Sequence, residues 1–577
     1  MVNERDAAGA AGGWTRQPPA GWDGDARELA ARLRRAVAGE VRFDAQAQAM
    51  YAVDASNYRQ VPIGVVLPRT LDDVIATVEL CREAGAPLLN RGGGTSLAGQ
   101  CCNVAVVLDW TRHLNAVVAV DGRTARVQPG LVLDRLRART EPQGLTFGPD
   151  PATHDRCTFG GMIGNDSCGV HSVLAGRTAD NVVALDLLTY DGTRLQVGRT
   201  TPAELQRILA AGGRRAEIYG ALAGIAERHG EEIRRRFPDI PRRVSGYNLP
   251  ALLPENGMDV ARALVGSEGT LATILEASVR LVDWPAARAL LVVAFVDVYA
   301  AARAVPAVLA LGPIGLEGMD DRLIVDNARK GMNREAQGLL PAIADAGGGG
   351  YLLVELGGTT QAEADAAARR AEPTLRGLDG FRGARLLDPR QQRLMWALRE
   401  SGLGATARVP GMPDTWEGWE DSAVPPARLA DYLRDLRGLY ESYGYRGSFY
   451  GHFGQGCVHT RISFDLYTAG GLERFHRFLE EAADLCVAYG GSLSGEHGDG
   501  QSRGELLPRM FGEELLQAFR ELKSAFDPAG RMNPGKVCDP YPILSNLRLG
   551  PSYRPAQPAT VFPFASDDGS LARATMR

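Results

Sequence analysis

The chain has 577 residues, of which 45% are hydrophobic and 23% are charged. These values are typical of globular proteins and exclude global disorder and a long coiled coil, while the length predicts two or three domains. The formal net charge of −5, with no long basic run, argues against a nucleic-acid-binding protein.

The N-terminal sequence and the cysteines predict a cytoplasmic location. No apolar run approaches the ~18 residues that a membrane-spanning helix requires. The first residues, MVNERDAAGAAGGW, lack the apolar core of a signal peptide. The eight cysteines include no C-x-x-C pair, which argues against a zinc ribbon or an iron–sulfur motif. We therefore expect a cytoplasmic protein, with peripheral association at the inner face of the membrane as an alternative.

Shifts in composition divide the chain into four segments. Residues 1–40 are predicted to be a flexible leader, and residues 41–285 an α+β unit. In residues 286–540 the alternation of strands and helices predicts a sheet covered by helices on one face, with a C-terminal segment that returns to the first unit. Residues 541–577, rich in Pro and Ser, are predicted to form an extended tail.

Apolar periodicity predicts several individual elements along these segments. Helical spacing predicts a helix over 71–85, and the Asp-Gly pair at 121–122 predicts a hairpin. An apolar run predicts a strand over 290–296. Two further amphipathic patterns predict helices over 362–375 and 472–489.

Glycine is the compositional outlier, because it counts 69 where an average usage of ~7% would give about 40. One cluster, RGGGTSLAGQ at 91–100, follows a predicted strand, and its backbone N–H groups can cradle a pyrophosphate. It does not match the Rossmann pattern, because Leu97 occupies the third glycine position, and it lacks the Gly-Lys-Ser/Thr of ATP-binding loops. Taken alone, the loop is equally well explained as a surface turn.

Three further glycine-rich segments strengthen the prediction of a nucleotide site. They are CTFGGMIGNDSCGVHS at 157–172, VGSEGTL at 265–271 and MNPGK at 532–536. Polar side chains in the first segment, such as Asn165 and Ser167, can hydrogen-bond the edge of a flat heterocycle. A mononucleotide would not need so many glycine-lined contacts, so the pattern favours a long, extended dinucleotide.

In this order the segments resemble those of the FAD-linked oxidases and dehydrogenases of the vanillyl-alcohol oxidase type, which include D-lactate, glycolate and D-2-hydroxyglutarate dehydrogenases. The resemblance implies an α+β fold, with a PCMH-type FAD-binding domain and a substrate domain built on an antiparallel sheet covered by helices. Because the glycine loop has no histidine, the resemblance implies non-covalent FAD. The candidate FAD contacts are Gly92, Gly93, Gly94, Thr95, Ser96, Gly99, Gln100, Asp150, Thr158, Gly161, Asn165, Ser167, Ser172, Val182, Glu268 and Asn533.

Three of the eight histidines fall in two glycine-flanked motifs. GHFGQGCVH contains His452 and His459, and SGEHGDG contains Glu496 and His497. Two histidines and one glutamate are a ligand set of open catalytic zinc sites. A lone histidine is more often a structural residue, but three in such motifs beside a glutamate favour a ligand site. The resemblance implies that His452, His459 and Glu496 hold a divalent cation, zinc, and that His497 is the base.

Two positions depart from the family's pattern, since Gln455 and Cys457 stand where Asp and Asn are usual. This alters the hydrogen bonds of the loop and leaves the proposed ligands unchanged. Cys457 is a candidate ligand for a soft metal, although a buried small residue is the stronger alternative. The Glu420-Asp421 pair before Pro425 is expected to be a surface feature or the start of a helix.

Two arginines are candidates for binding a substrate carboxylate, which a guanidinium grips through two parallel hydrogen bonds. Arg399 lies in WALRE, where the resemblance places such a contact, and an exposed helix charge is an equal alternative. Arg461 is two residues beyond His459, so on a strand it would share that residue's face. It is a candidate for a second carboxylate, with a solvated edge charge as an equal alternative.

The resemblance implies oxidation of a 2-hydroxy acid of the D-lactate or D-2-hydroxyglutarate type to the 2-oxo acid. The cation would lower the pKa of the substrate hydroxyl, His497 would take its proton, and a hydride would pass to flavin N5. The electron acceptor would be an iron–sulfur subunit, a quinone or an electron-transfer flavoprotein, and a homodimer is one option for the assembly. The sequence tail resembles the join to an iron–sulfur domain, which predicts a shortened form or a separate subunit.

Three other functions are alternatives to this oxidation. The alkylglycerone-phosphate synthases use the same flavin fold for ether-bond formation without net redox change. A zinc hydrolase built on His452, His459 and Glu496 would need no flavin. A non-catalytic FAD subunit of a larger oxidase complex is the third, and the intact Glu496 and His497 argue against it.

Overall fold

The computed structural model describes residues 22–341, 349–554, 559–567 and 569–576. The first part of the predicted leader, residues 1–21, lies outside the described residues. The remainder of that segment contains helix α1 (Ala26–Ala36), which Asp25 caps and whose Leu29 and Leu33 are buried. Because the apolar face of this helix is packed against the protein, this part of the predicted leader is folded.

The residues before Trp284 form an α+β unit with two main sheets. Its strands are β1 (Glu40–Arg42), β2 (Gly64–Leu67), β3 (Leu88–Arg91), β4 (Val106–Asp109), β5 (Val117–Asp121), β6 (Thr124–Val127), β7 (Leu145–Thr146), β8 (Val182–Leu188), β9 (Arg194–Val197), β10 (Thr273–Arg280) and β11 (Val282–Asp283). Its helices after α1 are α2 (Ala45–Tyr51), α3 (Leu71–Glu83), α4 (Leu133–Thr140), α5 (Phe159–Asn165), α6 (Ser172–Ala175), α7 (Thr178–Asn181), α8 (Pro202–Ala211), α9 (Gly213–Arg236) and α10 (Val260–Leu264).

The first sheet has the order β1-β2-β4-β3, with parallel pairing of β4 to both β2 and β3. The second is antiparallel, in the order β5-β6-β10-β8-β9. Helix α3 confirms the predicted helix, and the pairing of Asp121 with Thr124 confirms the predicted hairpin. Strand β3 ends at Arg91, so the glycine loop begins directly at the end of a strand.

The residues after Pro285 form a second unit around one five-stranded sheet. Its strands are β12 (Ala287–Phe295), β13 (Gly315–Asp320), β14 (Gly350–Gly358), β15 (Phe381–Leu387), β16 (Ser422–Ala423), β17 (Tyr450–Gly451) and β18 (Cys457–Val458). The helices from here to the C-terminus are α11 (Val298–Leu309), α12 (Asp321–Arg329), α13 (Arg334–Gln337), α14 (Gln361–Arg376), α15 (Pro389–Glu400), α16 (Gly402–Thr406), α17 (Leu429–Tyr443), α18 (Ala469–Ala488), α19 (Leu507–Phe526) and α20 (Leu571–Met576).

This sheet is antiparallel throughout, in the order β15-β12-β14-β13-β17. Strand β12 and helices α14 and α18 confirm the predicted strand and the two predicted helices. Helices cover both faces rather than one: Val293 packs in one core with α11 and α14, and Val292 in another with α12 and α15. The reason is that β12 and β14 are apolar on both faces, so each face must be buried.

The chain returns to the first unit after α19. Met532 pairs with Leu88 beside the glycine loop, and Lys536 Nζ donates to Gln60 Oε1 at 2.8 Å. The predicted tail is not extended throughout, because its good helix formers build α20. Across the described parts of the chain, we find no helix with the length and apolar content needed to cross a bilayer.

A buried histidine ties the two units together. His171 Nδ1 lies 2.5 Å from Asp150 Oδ2, and its Nε2 lies 2.6 Å from Glu355 Oε2 on β14 of the second unit. Both carboxylate oxygens are acceptors, so each ring nitrogen carries a proton and the ring is an imidazolium. Burial opposes this charge, but Asp150 and Glu355 outweigh it and raise the pKa of His171 to about 10.

The His171 contact is expected to weaken at alkaline pH. Since its pKa is raised above the ordinary ~6.5, its stabilisation is complete below about 6.5 and is lost as the pH rises through about 10. We expect the Tm of the wild type to fall more steeply between about pH 7 and about pH 10 than that of His171→Gln, which carries no titrating ring. Thermal melts across this range measure it, and parallel curves for the two proteins would contradict the prediction.

Candidate functional site

One cavity joins the glycine loop to the histidine motifs. It has a volume of about 740 Å³ and is lined by residues of both units. Its walls include Gly92, Thr158, Arg399, His452, His459, Glu496 and His497. Segments that lie far apart in the sequence therefore surround one space.

The end of β3 anchors the glycine loop. The Arg91 guanidinium donates to the backbone carbonyls of Val53 (2.8 Å) and Cys101 (2.7 Å), which holds the loop at both of its ends. Within the loop, Asn165 Nδ2 donates to Ser96 Oγ at 3.4 Å, which links it to α5. The loop is thus a fixed backbone concavity rather than a free surface turn.

Two glycines in this loop leave no room for a side chain. A Cβ on Gly92 would lie 2.1 Å from Thr158 Oγ1, and one on Gly93 would lie 2.6 Å from the backbone oxygen of Arg156. Close approach of backbone to backbone is what glycine permits, and it leaves the N–H groups open to a ligand. The cradle and its polar rim fit the pyrophosphate of a dinucleotide.

The structure places most of the predicted FAD contacts around the cavity. Those that line it are Gly92, Gly93, Gly94, Thr95, Ser96, Asp150, Thr158, Gly161, Asn165 and Ser167. Gln100 and Glu268 line a smaller cavity of about 70 Å³, which shares Thr158 and Asn165 with the first.

Four predicted contacts, Gly99, Ser172, Val182 and Asn533, line neither cavity. Asn533 holds the framework instead, since its Nδ2 donates to the backbone oxygens of Gln100 (3.0 Å) and Glu268 (2.9 Å). Gly99 adopts a φ of +83°, and Ser172 and Val182 are buried at the starts of α6 and β8. Their positions favour packing roles over direct contact with a ligand.

The three candidate metal ligands converge on one point. His452 Nε2 lies 2.9 Å and His459 Nε2 lies 3.5 Å from Glu496 Oε2. Their three ligand atoms lie within 4.8 Å of one another. The backbone pairing of Tyr450 with His459 folds the first motif back on itself, which brings its two histidines together.

The hydrogen bonds of the ring nitrogens show why this arrangement fits a cation. His459 Nδ1 lies 3.0 Å from the backbone oxygen of Glu420, an acceptor, so Nδ1 carries the proton. His452 Nδ1 lies 2.7 Å from Glu317 Oε1. Burial, reinforced by His452, lowers the pKa of His459 well below its ordinary value. Because Nδ1 of each ring faces an oxygen atom outside the cluster, both Nε2 atoms are left facing the Glu496 carboxylate, and two nitrogens and one oxygen converge as the ligands of a zinc ion do.

A buried arginine supports the glutamate of this set. Arg242 Nη1 lies 3.0 Å from Glu496 Oε2, and its Nε donates to Gln455 Oε1 at 2.7 Å. Burial opposes ionisation of Glu496, but His452 and Arg242 outweigh it and hold the pKa of the carboxyl well below its usual range. Gln455 therefore has a defined role in orienting Arg242. Cys457 does not line the cavity, and burial raises the pKa of its thiol well above the ordinary value.

The candidate base, His497, is held by two acidic residues. Its Nδ1 lies 3.1 Å from Glu420 Oε1, and its backbone N–H donates to Asp421 Oδ2 at 2.7 Å. Its ring stacks on His459, with centroids 5.2 Å apart. Burial opposes the charge on the imidazole, but Asp421 and Glu420 outweigh it and raise the pKa of His497 to about 9.

The expectation that Glu420 and Asp421 form a surface feature is therefore wrong. Their side chains are 2% and 0% exposed, and they face His497 and the Arg503 guanidinium. In the sequence the pair resembles an isolated polar feature, because the positive groups that compensate the two carboxylates come from distant segments.

The two candidate arginines occupy different places. Arg399, in the last turn of α15, lines the cavity; its Nη2 lies 2.6 Å from Glu317 Oε2, and its Nε has no hydrogen-bond partner among the described residues. Arg461 does not line the cavity, and its Nη2 lies 3.1 Å from Glu417 Oε2. Both side chains are buried, which excludes the exposed-charge alternative for each. The geometry favours Arg399 for a ligand carboxylate.

Sequence reasoning did not identify Glu317, Arg242 or His171. The one local signal was for Glu317, an acidic side chain in the middle of the strand GLEGMD, where apolar residues flank it at Leu316 and Met319. A carboxylate in a buried strand needs a partner, which points to an ion pair without naming it.

Two family models match the chain. The FAD binding domain model matches residues 62–198, and the model of FAD linked oxidases, C-terminal domain, matches residues 284–537. Fold and site thus define a two-domain flavoprotein in which a FAD-binding domain is followed by an oxidase-type substrate domain. The chain belongs to the FAD-linked oxidase family.

Several characterised proteins are similar over most of the chain. The D-2-hydroxyglutarate dehydrogenase of Pseudomonas putida is 33% identical over 518 residues, which is 88% of this chain and 51% of that protein. The enzyme of the same name from Escherichia coli is 30% identical over 85% of this chain and 49% of its own length. The glycolate oxidase subunit GlcD of Bacillus subtilis is 28% identical over 87% of this chain and 95% of that protein. The chain spans about half the length of the D-2-hydroxyglutarate dehydrogenases it matches.

The fold is also similar to a solved structure of alkyldihydroxyacetonephosphate synthase. The TM-score is 0.59 at 18% identity, over 90% of this chain and 85% of that one. At this identity the likeness concerns the fold alone. It confirms the expected PCMH-type α+β architecture.

Gly93→Ala is expected to lower the FAD content of the purified protein. Its Cβ would lie 2.6 Å from the backbone oxygen of Arg156, so the loop must shift. Overpacking of this kind costs about 1–3 kcal/mol, or up to roughly 100-fold in affinity. The measurement is visible flavin absorbance per protein. Gly438→Ala is the control, because its Cβ would meet nothing within 4 Å; equal flavin content in both variants would contradict the prediction.

Proposed function

We propose that the protein is a FAD-dependent dehydrogenase that oxidises a 2-hydroxy acid, of D configuration, to the 2-oxo acid with the help of a divalent cation, zinc. One observation carries this proposal: His452, His459 and Glu496 converge in the cavity that the glycine loop also lines. The absence of a histidine from the loop supports non-covalent FAD.

Different residues of the cavity would serve different steps of such a reaction. Bound FAD would accept a hydride, and a cation on the three ligands would polarise the substrate hydroxyl. His497 takes the hydroxyl proton, and its Nδ1 contact to Glu420 fixes the ring so that Nε2 faces away from that carboxylate. Arg399, which lines the cavity, offers its guanidinium to the substrate carboxylate and orients the acid.

The local charges support His497 in this role. Without a cation its pKa is raised to about 9 by Asp421 and Glu420, against the opposing effect of burial. A divalent cation on the ligands next to it would repel the imidazolium and favour the neutral form, which is the form that accepts a proton. The same acidic neighbours then stabilise the imidazolium that forms when it takes the proton.

The names of the relatives support one class of substrate and the transfer of electrons to a partner. Their names specify D-2-hydroxyglutarate and glycolate, both 2-hydroxy acids, which supports a small acid of this class for the present chain. GlcD is named as a subunit of an oxidase, which supports transfer of electrons to a partner. We extend the proposal to an acceptor that is an iron–sulfur subunit, a quinone or an electron-transfer flavoprotein.

Ether-bond synthesis without net redox change is the alternative from which the proposed dehydrogenase must be distinguished. The two functions differ in one simple observable. A dehydrogenase substrate bleaches the flavin when oxygen is absent, whereas a non-redox flavoprotein is not reduced by any 2-hydroxy acid.

His497→Ala is expected to slow bleaching of the flavin by substrate by ~10²–10⁴-fold, because a positioned base contributes a factor of this size. The flavin itself should stay bound, since His497 supplies no part of the glycine cradle. Anaerobic stopped-flow absorbance measures the rate. His476→Ala, on α18 outside the cavity, is the matched control and should reduce at the wild-type rate. Wild-type kinetics in His497→Ala would exclude the base role.

Removal of the cation is expected to stop reduction while leaving FAD in place. We expect a panel of D- and L-2-hydroxy acids, titrated anaerobically, to bleach the untreated protein with at least one D acid. Dialysis against a chelator should abolish this, and added zinc should restore it. Bleaching that is indifferent to chelator would refute the metal, and a zinc-loaded protein that no 2-hydroxy acid reduces would refute the dehydrogenase.

A further inference from the structure

A single buried carboxylate contacts both halves of the proposed site. Glu317 Oε1 lies 2.7 Å from His452 Nδ1, and Glu317 Oε2 lies 2.6 Å from Arg399 Nη2. His452 is a candidate cation ligand, and Arg399 is the candidate contact for the substrate carboxylate. Glu317 itself is 0% exposed and does not line the cavity.

The charge of Glu317 is compensated by these two neighbours. An unpaired carboxylate in the interior is strongly unfavourable, so burial alone would keep the group protonated. The Arg399 guanidinium places a positive charge 2.6 Å from one oxygen of Glu317, and the His452 ring nitrogen lies 2.7 Å from the other. The carboxylate therefore has one partner for each oxygen.

The sheet fixes the position of this carboxylate. Glu317 lies on β13, which pairs with β14 on one side and with β17 on the other. The pairing of Gly318 with Gly451 sets the register, so that His452 follows directly beside Glu317. A strand held on both edges has little freedom to move, and so the two oxygens of Glu317 form a rigid reference for both partners.

We propose that Glu317 is a positioning residue that sets the cation ligand His452 and the carboxylate-binding Arg399 in one fixed relation. This inference rests on the proposed function of the site. The Nδ1 contact fixes the ring orientation of His452 and strengthens its Nε2 as a ligand. The Arg399 contact holds the guanidinium in place, so that the distance between the cation and the substrate carboxylate is preset.

The chemistry of the side chain explains why glutamate is required here. Glutamine at this position keeps the shape but offers one acceptor and one NH₂ group, and that NH₂ group would face either the His452 Nδ1–H or the guanidinium. Aspartate keeps the charge but is one methylene shorter, so it can keep only one of the two contacts. Glutamine therefore disturbs the contact to His452 or to Arg399, and aspartate keeps one of these contacts and loses the other.

The test uses the full-length, FAD-loaded protein and two measurements besides turnover. The first is affinity for zinc alone, from competition with a chelator. The second is the KM for the best 2-hydroxy acid at saturating zinc. Glu317→Gln is expected to lose ~10–100-fold in zinc affinity, the range seen when the partner of a metal-bound histidine is removed. Its KM should also rise at least several-fold, because saturating zinc cannot restore the position of Arg399.

Two further variants separate positioning from general damage to the fold. Asp320→Asn removes a buried acid from the same strand, one that pairs with Arg437 at 3.1 Å, away from the cavity, and should change neither measurement. Glu317→Asp retains the charge and should recover one of the two properties better than Glu317→Gln does. Flavin content and thermal melts confirm that each variant is folded.

The outcomes distinguish this inference from the proposed function. Wild-type zinc affinity or wild-type KM in Glu317→Gln would overturn the positioning role alone, as would equal losses in Asp320→Asn. A wild-type protein that retains no zinc and that no 2-hydroxy acid reduces would overturn the proposed function, and this inference with it. Loss of both properties in Glu317→Gln, with both intact in Asp320→Asn, supports the role.

Discussion

The convergence of lone pairs from His452, His459 and Glu496 is the constraint on which the rest of the site depends. Three electron-rich atoms within 4.8 Å of one another are unfavourable in a buried position unless a cation or a proton lies among them. A buried side chain from a distant segment, Asp421, helps to hold this arrangement. Asp421 accepts from Ser494 Oγ (2.5 Å) and from the backbone N–H of Glu496 (3.1 Å), which fixes the turn that carries the carboxylate ligand.

Buried charge around this point is arranged in matched sets. The carboxylates of Glu496, Glu317 and Asp421 are each paired with a different arginine, namely Arg242, Arg399 and Arg503. Glu420 is matched by His497, whose pKa these acids raise to about 9 despite burial. Each acid thus has at least one buried positive partner, and some partners serve two acids, since Arg503 lies near both Glu420 and Asp421. This pairing keeps a cluster of ionised groups stable in an interior where an unmatched charge would be costly.

How far the sequence could predict this site depends on whether the signal was local. The glycine loop and the two histidine motifs are short, unusual strings, and their residues line the cavity as expected. The elements were predictable for the same reason, since α3 and the 121–122 hairpin follow from local patterns. Glu317, Glu420 and His171 gave weak signals, because a single acid or histidine gains meaning only from a partner in another segment, such as His452, His497 or Glu355. For both Arg399 and Arg461 the sequence left a carboxylate contact and an exposed charge as equal alternatives. The structure distinguishes the two residues, because Arg399 pairs with Glu317 and Arg461 pairs with Glu417.

Contacts between the units connect the turn of His497, the proposed base, to the glycine loop. Gln100 Nε2, at the end of the glycine loop, donates to the backbone oxygen of His497 at 2.5 Å. Glu268 accepts from the backbone N–H groups of Asp499 (2.7 Å) and Gly500 (2.9 Å), in the same turn as His497. Two residues expected to contact FAD therefore also hold the turn that carries the proposed base, His497. Because the same side chains border the smaller cavity and fix this turn, the position of a flavin bound there and the position of the proposed base, His497, cannot vary independently. The proposed transfer of a hydride from the substrate Cα and of a proton from its hydroxyl oxygen requires such precision.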